Sequence, residues 1–167
     1  MVVNTDAIRL ALSAQTKDGK KAQLGQFLTP SSVACFMASL FCAGSFSKCR
    51  LLDPGAGIGT LSAAFLDRCI AGKLRFHQID VDTFEIDNSL QPHLYRTLGA
   101  YRSHINCSVK VWDADFIEAA ASSLAGDLFA RPLPKYTHAI LNPPYRKIRS
   151  DSVHRSILRR VGIETVN

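Results

Sequence analysis

The segment AILNPPYRKI, residues 139–148, closes an apolar run on an asparagine, two prolines and a tyrosine, and then turns basic. These residue types suit one task. An exocyclic aromatic amine is a poor nucleophile because its lone pair is delocalised into the ring. Two acceptors aimed at its two N–H bonds draw the nitrogen toward tetrahedral geometry and expose that lone pair. The side-chain carbonyl of Asn142 is one such acceptor, and the backbone carbonyl of Pro143 is the other. Pro143 and Pro144 fix φ and bring no competing N–H. Tyr145 offers a flat face on which a planar base or amide stacks. The plain alternative is a proline-rich loop that merely ends a strand.

A second cluster lies upstream in LLDPGAGIGT, residues 51–60. Gly55, Gly57 and Gly59 let the backbone approach a ligand at the start of a helix, where amide N–H groups and the helix dipole favour an anionic group. The spacing is GxGxG, one residue shorter than the dinucleotide fingerprint GxGxxG. Asp53, directly ahead of the glycines, argues against a pyrophosphate and for a ligand with a positive end. S-adenosylmethionine carries an ammonium, a sulfonium, a carboxylate and a ribose. Glu85 lies at a suitable distance along the chain to hold ribose hydroxyls, with Asp80, Asp82 and Asp87 as competitors. A tight strand–helix connection accounts for the glycines without any ligand.

The elements that must position these groups alternate. LTPSSVACFMASLF reads as a helix start with Thr29 or Ser31 as cap and Pro30 in the first turn. RLLD is a short buried strand, and residues 60–71 form a helix with Gly72 as its stop. LRFHQIDVDTFEID holds a second strand, and SLQPHLYRTLGAYRS is helical. INCSVKVW alternates as a strand does, DFIEAAASSL is a short helix, and KYTHAIL is a fourth strand. Strand–helix–strand alternation implies parallel βαβ units with right-handed crossovers. The expected fold is α/β, a doubly wound and mainly parallel sheet with about four strands. Ligands bind beyond the carboxyl ends of such strands. The glycine turn, Glu85, Asp113/Asp115 and Asn142 all fall on that edge.

The 167 residues fit one domain, and 47% hydrophobic with 20% charged residues excludes a disordered or fibrous chain. The division expected is a helical and linker segment over residues 1–23, then a partial catalytic domain over 24–167. Five cysteines without a CxxC pair fit neither a disulfide framework nor a zinc site, so a reduced, cytoplasmic chain is expected, with no metal and with Cys42 and Cys49 in or beside the core. The N-terminus lacks signal-peptide character, and the most apolar window, residues 33–46, is too short to span a bilayer. The net charge is +6. Arg146, Lys147, Arg149, Arg155, Arg159 and Arg160 crowd the C-terminal end, either as a solvated helix face or as a phosphate-contacting edge.

The chain resembles the adenine-specific N6 DNA methyltransferases of restriction–modification systems, which have the class I methyltransferase fold. The resemblance runs from about Leu24 onward. GQFLTPSSVACFMASLF is similar to that family's first cofactor motif, which implies Thr29 and Pro30 near the methionine carboxylate. LLDPGAGIG matches its glycine loop, and FEID its ribose segment, which implies Glu85 on the ribose. DADF matches the adenine segment, which implies Asp115 on the cofactor's N6 amine and Phe116 beside the ring. NPPY matches the catalytic motif, with Arg146, Lys147 and Arg149 beside DNA. The cofactor implied is S-adenosylmethionine. Similar corners occur in enzymes that methylate protein glutamine or ribosomal RNA; the Thr-Pro motif and the segment after NPPY favour DNA adenine. The family's sheet has seven strands and a target-recognition region, against four strands here. A fragment, a truncated frame or half of a split enzyme is therefore expected. An exposed fourth strand would seek a second polypeptide or a second copy. A non-catalytic remnant that binds nucleic acid or a partner is the remaining alternative.

Overall fold

The computed structural model describes residues 3–15, 28–44, 47–126, 131–143 and 152–164. Four strands form a parallel sheet: β1 (Lys48–Asp53), β2 (Gln78–Phe84), β3 (Cys107–Trp112) and β4 (His138–Ala139), in the order β3-β2-β1-β4. Around it lie α1 (Thr5–Gln15), α2 (Ser31–Ser39), α3 (Thr60–Ile70), α4 (Gln91–Gly99), a 3-10 turn (Ala100–Ser103), α5 (Phe116–Ala125) and α6 (Val153–Arg160). The chain steps outward from β1 to β3 and then returns to the far side of β1. That reversal defines a doubly wound sheet, and its switch point lies between β1 and β4. The α/β expectation is borne out.

Alternation explains the sheet's two faces. Cys49, Leu51 and Asp53 share one face with their register partners Ile79, Val81 and Thr83, and all six are buried. That face carries the main core. Ala34 and Ala38 of α2, Ala63, Ala64, Phe65 and Leu66 of α3, and Leu94 and Leu98 of α4 close over it. The small residues on α2 let it approach α3 closely. The opposite face is more polar: Asp80 accepts Ser108 Oγ at 2.6 Å, and Asp82 accepts the Tyr136 hydroxyl at 2.9 Å. These two carboxylates hold the sheet's second face together, away from the glycine turn.

Several local expectations change in detail. Pro30, not Thr29 or Ser31, is the N-cap of α2, and no neighbouring side chain caps it. Asp6 of α1 supplies the missing acceptor instead: it takes the Ser31 N–H at 3.2 Å and the Ser31 hydroxyl, and also pairs with Arg9 at 2.9 Å. β4 is only two residues long because it pairs with β1 at Leu51↔His138 and Leu52↔Ala139, with no strand beyond it among the described residues. Cys42 is exposed, since the chain turns out to solvent after α2, whereas Cys49 is buried. Burial pushes the thiols of Cys49 and Cys69 up to about 12, which keeps them protonated and inert. Among the described residues no helix is long and apolar enough to cross a membrane.

Candidate cofactor and amine-binding site

The turn after β1 and the corner after β4 open onto one pocket at the switch point. Leu28, Thr29, Gly55, Gly57, Leu61 and Asn142 line it. Crevices at switch points are where open α/β sheets take ligands.

The glycine turn is held from below and from the side. Ala56 N–H donates to Phe84 O at 3.0 Å, and Gly57 N–H donates to Glu85 Oε2 at 2.8 Å. Gly57 and Gly59 have φ of +56° and +84°, in the left-handed region that a side chain resists. A Cβ at Gly59 would also meet Leu94 Cδ1 at 2.9 Å, so packing of α4 requires that glycine. Gly55 differs. It has no positive φ, and a Cβ there would meet nothing within 4 Å. The fold alone has no use for a glycine at this pocket-lining position, whereas a ligand lying close to the backbone does.

Of the four acids near the end of β2, Glu85 is the one that meets the turn. Its carboxylate accepts Gly57 N–H and, through Oε1, Asp87 N–H at 2.8 Å. A carboxylate has about four acceptor sites, so two bonds leave it capacity for ribose hydroxyls. Burial raises its pKa. Asp53 departs from the expected ligand contact. Alternation turns it onto the core face beneath α3, where it is fully buried and accepts Ser62 Oγ at 2.7 Å. Its Oδ1 has no hydrogen-bond partner, and burial, with Glu85 adding a smaller push, moves its pKa up to about 7. Glu85 is therefore the acid that the turn presents to a ligand.

Asp115 is the N-cap of α5, accepting Ile117 N–H at 2.7 Å and Glu118 N–H at 3.2 Å through Oδ1. Its Oδ2 faces His154 Nε2 of α6 at 3.1 Å. Phe116 meets Phe84 edge to face at 5.2 Å, and Phe84 stacks on Trp112 at 5.3 Å. Asn142, half-buried, donates from Nδ2 to Thr29 Oγ1 at 3.1 Å. Thr29, Pro30, Gly55, Gly57, Glu85 and Asn142 therefore gather at the switch point, with Pro143 following Asn142. Asp115 and Phe116 stand at the neighbouring end of β3. Pro144, Tyr145, Arg146, Lys147 and Arg149 lie outside the described residues. Sequence reasoning missed Asp6, the Thr29–Asn142 bond and the His154–Asp115 pair. Each joins residues at least 25 positions apart, and only an acid ahead of an uncapped helix start hinted at the first.

A parallel doubly wound sheet with a glycine turn, a strand-end acid and an Asn-Pro corner around one switch-point pocket is an α/β domain of Rossmann-like architecture. The chain is similar to two Type II methyltransferases. It is 45% identical over 164 residues to Type II methyltransferase M.BsuBI of Bacillus subtilis, covering 97% of this chain and 32% of that protein. It is 34% identical over 167 residues to Type II methyltransferase M.PstI of Providencia stuartii, again covering 97% of this chain and 32% of that protein. The family resemblance read from the motifs is borne out, and the chain spans about a third of the length of the curated relatives it matches. No protein-family model matches. The solved structure of PH0793 from Pyrococcus horikoshii overlaps 52% of this chain and 29% of that one at 21% identity, with a TM-score of 0.34, too low to bear on the fold.

Proposed function

We propose that this chain forms the cofactor-binding and catalytic part of an adenine-specific DNA methyltransferase, which methylates the N6 amine of adenine in DNA. The observation that carries this reading is the shared pocket: the glycine turn and Asn142 face the same space at the switch point. The methyl donor is S-adenosylmethionine, which supplies an electrophilic methyl group on a positively charged sulfur.

Gly55 and Gly57 form the floor against which the donor lies, and Glu85 takes its ribose hydroxyls. Asp53 acts from behind the turn, where it accepts Ser62 Oγ at the start of α3. Asp115 and Phe116 receive the adenine ring of the donor. Asn142 Oδ1 and the Pro143 carbonyl accept the two N–H bonds of the target amine. These acceptors strengthen as positive charge develops on the attacking nitrogen, so they act on turnover more than on binding. A base inside a duplex cannot reach this corner, so the target must be flipped out at a cost of a few kcal/mol. Tyr145 stacks on it, and Arg146, Lys147 and Arg149 contact phosphates.

The test is incubation of the chain with isotope-labelled S-adenosylmethionine and, separately, DNA, RNA and glutamine-containing peptides, followed by mass spectrometry of the digested products. N6-methyladenine in DNA is expected. Label only in RNA or glutamine transfers the same clamp to another planar amine, and no binding of S-adenosylmethionine by the folded chain sinks the reading.

A further inference from the structure

α2 carries no charged residue, yet a charge from another helix meets each of its ends. At its start Asp6 of α1 accepts the Ser31 N–H at 3.2 Å and the Ser31 hydroxyl. At its finish Arg68 of α3 donates to Phe41 O at 2.7 Å and to Ala38 O. The signs match the helix macrodipole, whose N-terminal end attracts an anion and whose C-terminal end attracts a cation. The first N–H groups of a helix have no partner within it, and Pro30 at the N-cap supplies none. Asp6 does for α2 what an adjacent capping residue does elsewhere, across 25 residues.

Only the first of these ends lies at the pocket. Leu28 and Thr29, just ahead of Pro30, line it with Gly55 and Gly57. Leu28 stands directly against the glycine turn: a Cβ at Gly57 would meet Leu28 Cδ2 at 3.0 Å. This wall of the pocket hangs on the residue that Asp6 grips. Asp6 is itself held. Arg9 donates to it at 2.9 Å, Thr5 beside it is buried, and Val3 packs on the core. Asn4 Oδ1 accepts Ala7 N–H at 3.2 Å, which serves the start of α1 and leaves the Asp6 carboxylate to α2. The bonds from Ser31 and Arg9 hold that carboxyl below the usual carboxylate range, so it is ionised at neutral pH. We infer that Asp6 is a positioning residue for the donor site: by fixing the first residue of α2, it sets where Leu28 and Thr29 stand against the glycine turn. This rests on the proposed reading of the pocket as the S-adenosylmethionine site. It gives α1 a part in that site although none of its described residues lines the pocket.

The experiment measures three quantities on the full chain and its variants: S-adenosylhomocysteine affinity by isothermal titration, melting temperature, and deuterium uptake by the peptide containing residues 28–35. Asp6→Ala should weaken affinity by about fivefold, the value of one helix cap, and speed uptake in that peptide. Asp6→Asn keeps an acceptor for the Ser31 N–H and an amide that pairs with the Ser31 hydroxyl, so it should restore both. Ser31→Ala keeps the N–H bond and loses the hydroxyl bond. It should show a smaller loss of affinity, and it carries the test if Asp6→Ala does not fold. Arg68→Ala is the control for stability alone, because it releases the far end of α2, about 13 Å from the pocket end at about 1.5 Å per residue. It should melt lower than the parent and keep affinity within about twofold, as distant sites do. Unchanged affinity in Asp6→Ala overturns the inference. A loss in Arg68→Ala as large as that in Asp6→Ala does so too, since it reduces Asp6 to a contact that only stabilises the fold. Asp6→Asn binding as weakly as Asp6→Ala likewise overturns it. A parent chain that does not bind S-adenosylhomocysteine, while Asp6→Ala still loosens the peptide, overturns the donor-site reading as well and leaves the tie a structural one.

Discussion

Glu85 Oε2 accepts the N–H of Gly57 at 2.8 Å, joining the acid at the end of β2 to the middle of the glycine turn after β1. The same carboxylate accepts Asp87 N–H through its other oxygen. One buried side chain therefore shapes the turn and waits at its rim. Glu85→Ala should cost S-adenosylhomocysteine about 1.5–3 kcal/mol of binding, the usual loss for a charged hydrogen-bond partner. Isothermal titration measures it. Affinity equal to that of the parent chain removes Glu85 from the cofactor site.

The two glycines at either end of the turn should separate stability from binding. Gly59→Ala forces a side chain into the left-handed region, at roughly 1–2 kcal/mol, and into Leu94 Cδ1. Its melting temperature should fall. Gly55→Ala meets nothing in the protein, so it should melt like the parent and lose affinity for S-adenosylhomocysteine. A Gly55→Ala chain that binds as tightly as the parent places the ligand elsewhere.

The burial of Asp53 sets a pH dependence. Its folded pKa is raised from 3.8 to about 7. The folded chain therefore holds a proton that the unfolded chain has released, and stability falls as pH rises from about 4 to about 7. Glu85, also raised, acts with the same sign. Asp53→Asn removes the larger contribution. It should be more stable than the parent at pH 8, by at most about 4 kcal/mol at 1.36 kcal/mol per pKa unit, and should show a shallower slope in denaturant melts between pH 5 and 8. A parent chain whose stability rises over that interval contradicts the burial argument.

His154 holds Asp115 Oδ2 at 3.1 Å, on the side of Asp115 that its helix-capping oxygen does not use. The proposed adenine contact must displace or share that bond. His154→Ala should tighten S-adenosylhomocysteine binding by no more than about fivefold, because a part-exposed side-chain pair contributes at most about 1 kcal/mol. Weaker binding in the variant makes His154 part of the site instead.

β4 has β1 as its neighbour and no other strand among the described residues. An open strand edge pairs readily with another chain. A second polypeptide or a second copy on this edge would give a sedimentation coefficient that rises with concentration or with added partner. A constant monomer value under both conditions removes the edge as an interface.

The alternation of strands and helices, the glycine turn and the Asn-Pro corner were legible in the sequence because each depends on neighbours within about ten residues. Period-two burial in QIDVDT, the helix after GIG and the stop at Gly72 are set by side-chain period and backbone φ, which are local properties. The family resemblance also followed from these short runs, and the sequence relatives bear it out. Tertiary packing alone decided which acid meets the turn and which way it points. LLDPGAG reads as though Asp53 faces the ligand, but register places it with Cys49 and Leu51 under α3, while Glu85, one residue past β2, swings onto Gly57. Packing likewise capped α2 with Asp6 and paired His154 with Asp115. It also joined Asn142 to Thr29, 113 residues away in the chain. A hydrogen bond between distant residues leaves no period in a sequence, because its geometry exists only once the sheet order has brought β1 and β4 side by side.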